Sequence, residues 1–149
     1  MYISETAIKK LKLKKILWIV TKKNPLKHKP YFDINMRIKL SKKITRKEKK
    51  IVVKYLDDKV KSTNTFNLLN YIKNKDIKVR LFFIIGADNL KKFHKWKNWK
   101  QIPKLAKIVV FPRKNHSHNS IADNNLSKKD LIYMKSKLMN ISSSLIRKF

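Results

Sequence analysis

The chain has 149 residues, 42% of them apolar and 10% aromatic, enough for one domain that hides about 70% of its unfolded surface around a single core, and too apolar for a disordered chain. It has no cysteine, which excludes disulfides, thiolate zinc sites and cysteine nucleophiles. Its 39 Lys and Arg against 9 Asp and Glu give a formal net charge of +30, an excess that attracts polyanions. Those basic residues run along the whole chain, and Lys, Asn and Ile abound while Gly, Ala and Pro are scarce. AT-rich coding produces such a composition, so charge alone does not assign nucleic acid as the partner. The apolar runs "ILWIV" and "LFFIIGA" fall far short of the roughly 20 residues of a bilayer span, and the N-terminus lacks the uninterrupted apolar segment of a signal peptide. A cytoplasmic protein with no membrane partner is expected.

In chain order, Ile3, Ala7, Ile8 and Leu11 recur at helical spacing, with Ser4 and Glu5 suited to an opening turn, so a helix is expected over 3–12. "KILWIV" (15–20) is a continuous β-branched and aromatic run that ends in the polar, proline-containing "TKKNPLKHKP", as a buried strand of a parallel sheet does. Ile34, Ile38 and Leu40 mark a helix in 33–44, and "KIVVKY" (50–55) alternates as a further strand. Phe66, Leu69 and Ile72 mark a helix in 64–73. "VRLFFII" (79–85) runs into Gly86, the only glycine, and "KIVVF" (107–111) runs into Pro112 and Arg113. A polar loop follows, then a last helix over 128–139. Buried strands alternating with helices argue for an α/β fold with a mostly parallel sheet.

Such sheets bind ligands beyond the carboxyl ends of their strands, where loop amides and helix N-termini converge. The candidate positions are therefore 21–27, 86–88 and 112–113. A glycine directly after a buried strand lets backbone approach a ligand, and Asp88, two residues on, has the chemistry to accept hydrogen bonds from sugar hydroxyls. Trp96 and Trp99 lie three apart in a helical pattern, which suits a core face; the lysines around them leave open that one indole lies at the lip of a site, ready to stack on a flat heteroaromatic ring. "ISSSLIR" (141–147) offers three hydroxyls at the start of a turn and Arg147 beyond them, a set that serves either as a helix cap or as a phosphate cradle. His116 and His118 form H-S-H without further ligands, and no metal site is expected there.

Taken together, "NPLK" (24–27), Arg37, "STNTF" (62–66), "FIIGADNLKKFHKW" (83–96), "VVFPR" (109–113) and "ISSSLIR" resemble bacterial nicotinate-nucleotide adenylyltransferases, in the family's order and over nearly the whole chain. The resemblance implies a Rossmann-like nucleotidyltransferase fold in one domain over 1–149. It also implies transfer of the AMP part of ATP to nicotinate mononucleotide, with Mg²⁺ accompanying ATP. By the same resemblance, Gly86 and Asp88 hold the adenosine ribose. Ser142, Ser143, Ser144 and Arg147 grip the ATP phosphates, with Arg113 nearby. Trp96 stacks on the nicotinate ring, Ser62 and Thr65 line that pocket, and Asn24 and Lys27 lie at the mouth of the nucleotide cleft. "ISSSLIR" has serine where the family has threonine, and Asn64 stands where the family's T-x-D-T element has its acid.

One departure from the family is large. Its opening strand and G-G-S-F-D-P-x-H-x-G-H segment, whose two histidines meet the ATP phosphates, has no counterpart in this sequence, and none of His28, His94, His116 and His118 supplies an H-x-G-H. "MYISETAIKKLKL" resembles the helix that follows that segment. The expectation is therefore a fold with its first strand missing, through an upstream start or a cut gene, and weak catalysis from this chain. Two other readings remain open at this point: a catalytically inactive nucleotide-binding remnant, and a basic nucleic-acid-binding protein.

Overall fold

A computed structural model describes residues 1–23, 30–113 and 126–136. The chain divides into two compact units, Met1–Lys75 and Asp76–Phe149.

The first unit runs α1 (Tyr2–Lys10), β1 (Ile16–Ile19), α2 (Ile34–Thr45), β2 (Ile51–Lys54), α3 (Asp57–Val60) and α4 (Thr65–Lys75). β1 and β2 pair in parallel, from Ile16 opposite Ile51 to Ile19 opposite Lys54. Ile16 N donates to Lys50 O at 2.8 Å and Val20 N to Lys54 O at 2.9 Å. Successive residues of a parallel strand turn their peptide groups to opposite edges, so residues 16, 18 and 20 face β2 and Leu17 and Ile19 face the other edge. No strand among the described residues pairs there. α2 opens on Asp33, whose side chain accepts from Met36 N at 2.9 Å, the ordinary service of an N-cap. Its inner face carries Ile34, Ile38 and the buried Thr45, whereas Leu40, expected beside the two isoleucines, is exposed together with Met36 and Ile44. At 3.6 residues per turn Leu40 lies about 240° round the helix from Ile34, off the face that Ile38 shares.

The second unit contains β3 (Leu81–Gly86), α5 (Ala87–Lys91), α6 (Ile102–Leu105), β4 (Ala106–Phe111) and β5 (Leu131–Tyr133), with 3₁₀ turns at Phe93–Lys95, Trp99–Gln101 and Lys128–Asp130. β4 pairs in parallel with β3 on one side and β5 on the other. Ile108, Val109, Val110 and Phe111 are buried, with Leu90, Phe93, Ile102 and Met134 completing the core of this unit. Met134 N donates to Val110 O at 2.9 Å, which turns Val110 toward β5 and Val109 and Phe111 toward β3. By the same alternation Phe82, Ile84 and Gly86 face the outer edge of β3, where no described strand pairs.

The four strands read from apolar runs are present, all paired in parallel. Two expectations need correction. The helix expected over 128–139 is instead a 3₁₀ turn followed by β5, as far as residue 136; residues 137–139 lie outside the described residues. Leu131, Ile132 and Tyr133 pair with the buried β4, a tertiary preference that overrides the local helical spacing. Trp96 and Trp99 do not share a helical face: Trp96 has extended backbone (φ −82°, ψ 143°) and Asn98 is left-handed at φ 54°, so the chain breaks between two 3₁₀ turns. Asparagine is among the few non-glycine residues that enter that region cheaply. Among the described residues no helix is long and apolar enough to cross a membrane.

Candidate functional site

β3 ends at Gly86, which also serves as the N-cap residue of α5. Its backbone angles, φ −83° and ψ 153°, are open to any residue, so conformational freedom does not explain the glycine. Space does. A Cβ at this position would collide with Asp88 Oδ1 and come within 3.1 Å of Arg113 Nε. The Asp88 carboxylate folds back over the strand end, and the Arg113 side chain, just beyond β4, reaches it with Nε 3.3 Å from Oδ1. That separation exceeds the roughly 2.7–2.9 Å of a strong charge-assisted hydrogen bond, and the two side chains keep 31% and 26% exposure. Asp88 Oδ1 is buried and has no hydrogen-bond partner. Two adjacent parallel strands thus bring a carboxylate, a guanidinium and a bare backbone position together at one strand end.

In the same unit the Trp96 ring packs against Phe83 (centroids 5.8 Å, planes at 63°) and Phe93 (5.3 Å, 46°). Phe93 is fully buried and Trp96 partly exposed, so the indole has both a core contact and an open part. Its Nε1 is buried without an acceptor, a state that costs about 1–3 kcal/mol until an acceptor arrives. Trp99 also touches Phe93, at 6.3 Å, and carries Lys100 over its ring at 5.6 Å.

In the first unit Ser62 and Thr65 stand at the start of α4. Asn64 Oδ1 accepts from Asn67 N at 2.9 Å, and Ser62 Oγ accepts from Asn64 N at 3.2 Å and from Asn64 Nδ2 at 2.7 Å. Asn64 therefore supplies the capping acceptor that an acid would supply, while Ser62 keeps its own O–H as a donor.

A second polar assembly, not foreseen as a unit, holds the carboxyl end of β1. Arg37 Nη1 donates to Thr21 O at 2.7 Å and to Lys22 O at 3.4 Å. Lys22 N donates to Asp57 Oδ2 at 2.7 Å, and Asp57 is buried. Lys22 Nζ donates to Asp58 Oδ1 at 2.8 Å, and Tyr55 OH donates to the same oxygen at 2.9 Å. The hydrogen bonds from Lys22 and then Tyr55 hold Asp58 below the usual carboxylate range, and the bond to Asp58 raises Lys22 above the ordinary lysine value. The available signal was Asp57 and Asp58 side by side in a chain with so few acids.

Of the expected site residues, the structure joins Gly86, Asp88 and Arg113, places Trp96 in the same unit, and places Ser62 and Thr65 in the other. Asn24, Lys27, Ser142, Ser143, Ser144 and Arg147, like His116 and His118, lie outside the described residues. Among the described residues no group of three or more His, Cys, Asp or Glu could hold a metal ion.

The cytidylyltransferase-like family model matches residues 1–149. A Pelagibacter ubique protein named probable nicotinate-nucleotide adenylyltransferase is 45% identical over 98% of this chain and 82% of its own length. A Clostridium tetani protein of the same name is 32% identical over 99% of this chain and 77% of its own. Among solved structures, the Plasmodium falciparum nicotinic acid mononucleotide adenylyltransferase complexed with NaAD superimposes with a TM-score of 0.72 at 20% identity, over 99% of this chain and 77% of that one. This last likeness establishes the Rossmann-like nucleotidyltransferase fold. With its parallel strands, the Gly86–Asp88–Arg113 strand end and these relatives, the chain belongs to the cytidylyltransferase-like family and, within it, to the nicotinate-nucleotide adenylyltransferases, ATP-using enzymes of NAD biosynthesis.

Proposed function

We propose that this chain transfers the adenylyl group of ATP to nicotinate mononucleotide in the cytoplasm, with residues 1–149 acting as one nucleotidyltransferase-like domain. The observation that carries the reading is the Gly86–Asp88–Arg113 strand end. A carboxylate at the end of a parallel strand, with no hydrogen bond on its buried oxygen, is an acceptor for a ribose diol, and a guanidinium beside it is a donor to phosphate. Ser142, Ser143, Ser144 and Arg147 are assigned to the ATP phosphates. Trp96 is assigned to the nicotinate ring, and Ser62, Thr65, Asn24 and Lys27 to the same mononucleotide.

In the reaction a phosphate oxygen of nicotinate mononucleotide attacks the α-phosphorus of ATP. The new P–O bond makes deamido-NAD; the bond from the α-phosphorus to the bridging oxygen breaks, and pyrophosphate leaves with its electron pair. No covalent enzyme intermediate is required, so the protein contributes alignment and charge stabilisation. Magnesium enters as part of the MgATP substrate, carried on the phosphates, as suits a cation that keeps several waters and rarely has an all-protein cage.

A second reading, nucleotide binding without turnover, keeps the Asp88–Arg113 strand end as a ligand site and drops the transfer. Pyrophosphate release from MgATP, with and without nicotinate mononucleotide, separates the readings. Release that requires the mononucleotide supports the transferase; ATP binding without release leaves the silent binder; neither would refute both. Trp96→Ala is expected to weaken nicotinate mononucleotide far more than ATP, because stacking on an aromatic side chain is worth about 1–3 kcal/mol per base. Equal weakening of both would make Trp96 a core residue only.

A further inference from the structure

We infer that Arg113 is a specificity-determining residue that makes the site select phosphorylated nucleosides over free nucleosides, by occupying the sugar-binding carboxylate until a phosphate draws it away. The inference rests on the nucleotide reading of Asp88. Three features at the strand end carry it. Arg113 Nε approaches the same Asp88 oxygen, Oδ1, that is buried without a hydrogen bond. The contact is loose, 3.3 Å, and both side chains remain about a quarter to a third exposed, so the pair can part without leaving a charge sealed in the core. Both groups also fill the space that a side chain at Gly86 would take, the position where a ligand would meet bare backbone.

A nucleoside whose ribose diol takes Asp88 Oδ1 displaces the guanidinium from that oxygen and returns nothing to it. A nucleotide gives Asp88 the diol and gives Arg113 a phosphate, so both charges remain partnered. The ion pair thus subtracts from sugar binding alone and is repaired only when sugar and phosphate arrive on one ligand. Partly exposed ion pairs of this kind are worth little, which sets the expected bias at a few-fold, whereas a guanidinium–phosphate contact is among the stronger polar interactions.

The test is calorimetric titration of the full chain with adenosine and with MgATP. Arg113→Met should bind adenosine about two- to fivefold more tightly than the unaltered protein and MgATP about tenfold or more less tightly. Arg113→Lys should retain most of the ATP affinity. Unchanged or weaker adenosine binding by a folded Arg113→Met overturns the selector role. A salt series on the unaltered chain tests the same point without a substitution. Screening the ion pair should tighten adenosine while weakening ATP, and adenosine affinity that stays flat or falls with salt overturns the inference. Failure of the unaltered chain to bind ATP at all would instead defeat the nucleotide reading, and the selector role with it.

Discussion

The two units solve the same problem, a parallel sheet, by different means. In the second unit β4 lies between two parallel neighbours, and its last four residues are buried. In the first unit β1 has one described partner, all four of its residues are only partly buried, and the buried groups include Thr45 and Asp57. Thr45 Oγ1 donates back to Ser41 O at 2.9 Å, and Asp57 accepts from Lys22 N. The second unit is therefore held mainly by apolar surface removed from water, and the first depends more on hydrogen bonds at its strand end. Apolar burial tolerates change in polar partners; a buried carboxylate does not.

Truncating the two sheets should show this contrast most strongly. Ile108→Ala removes a fully buried side chain from β4 and is expected to cost about 2–5 kcal/mol. Ile16→Ala in the half-buried β1 should cost clearly less by urea denaturation of the full chain. Equal costs would remove the distinction. Next in size, Asp57→Ala leaves the Lys22 N–H without its acceptor and is expected to destabilise by about 1–3 kcal/mol, with Asp57→Asn recovering part of the loss. Hydrogen exchange at the Lys22 amide checks the cause, because a loss that leaves this amide protected would point elsewhere.

The smallest effect concerns the exposed Lys22–Asp58–Tyr55 cluster. Asp58 has a folded pKa below its ordinary value, so its contribution is present above that ordinary value of 3.8 and disappears as pH falls through the folded one. Lys22 is raised, so its contribution is present below its ordinary value and is lost only as pH climbs through the folded value, far into alkali. Asp58→Asn should therefore lower the urea midpoint slightly at pH 7 and by less at a pH below 3.8. An equal shift at both pH values would show that the carboxylate charge is not what stabilises.

The same contrast bears on what the sequence discloses. Runs such as "ILWIV" and "LFFII" announce strands because β-branched and aromatic residues in an unbroken row suit a strand covered on both faces. β5 is three residues long, and the reason for it is the neighbouring edge of β4 rather than anything in "LIY". Leu40 misleads because an amphipathic pattern records which residues are apolar and not which of two adjacent stripes the sheet covers. At the site, a lone glycine after a buried strand with an acid two residues on was legible as a strand-end motif. Its physical reason was not: Gly86 leaves room for Asp88 to fold back and meet Arg113, residues from two strand ends that only the parallel pairing of β3 and β4 brings together. The Arg37–Asp57 clasp on the end of β1 was hidden for the same reason, since its members are spread from residue 21 to residue 57.

If the end of β3 is a nucleotide site, the Asp88 carboxylate receives the sugar there, and removing its charge must weaken nucleotide binding. The most direct test is the affinity of MgATP for Asp88→Asn beside the unaltered chain, by calorimetry, with far-ultraviolet circular dichroism to confirm that the substituted chain is folded. The substitution keeps the size of the side chain and removes the charge and half of its acceptor capacity. ATP binding should weaken by about tenfold or more, as befits hydrogen bonds to a charged group. Unchanged ATP affinity in a folded Asp88→Asn would contradict that role of Asp88.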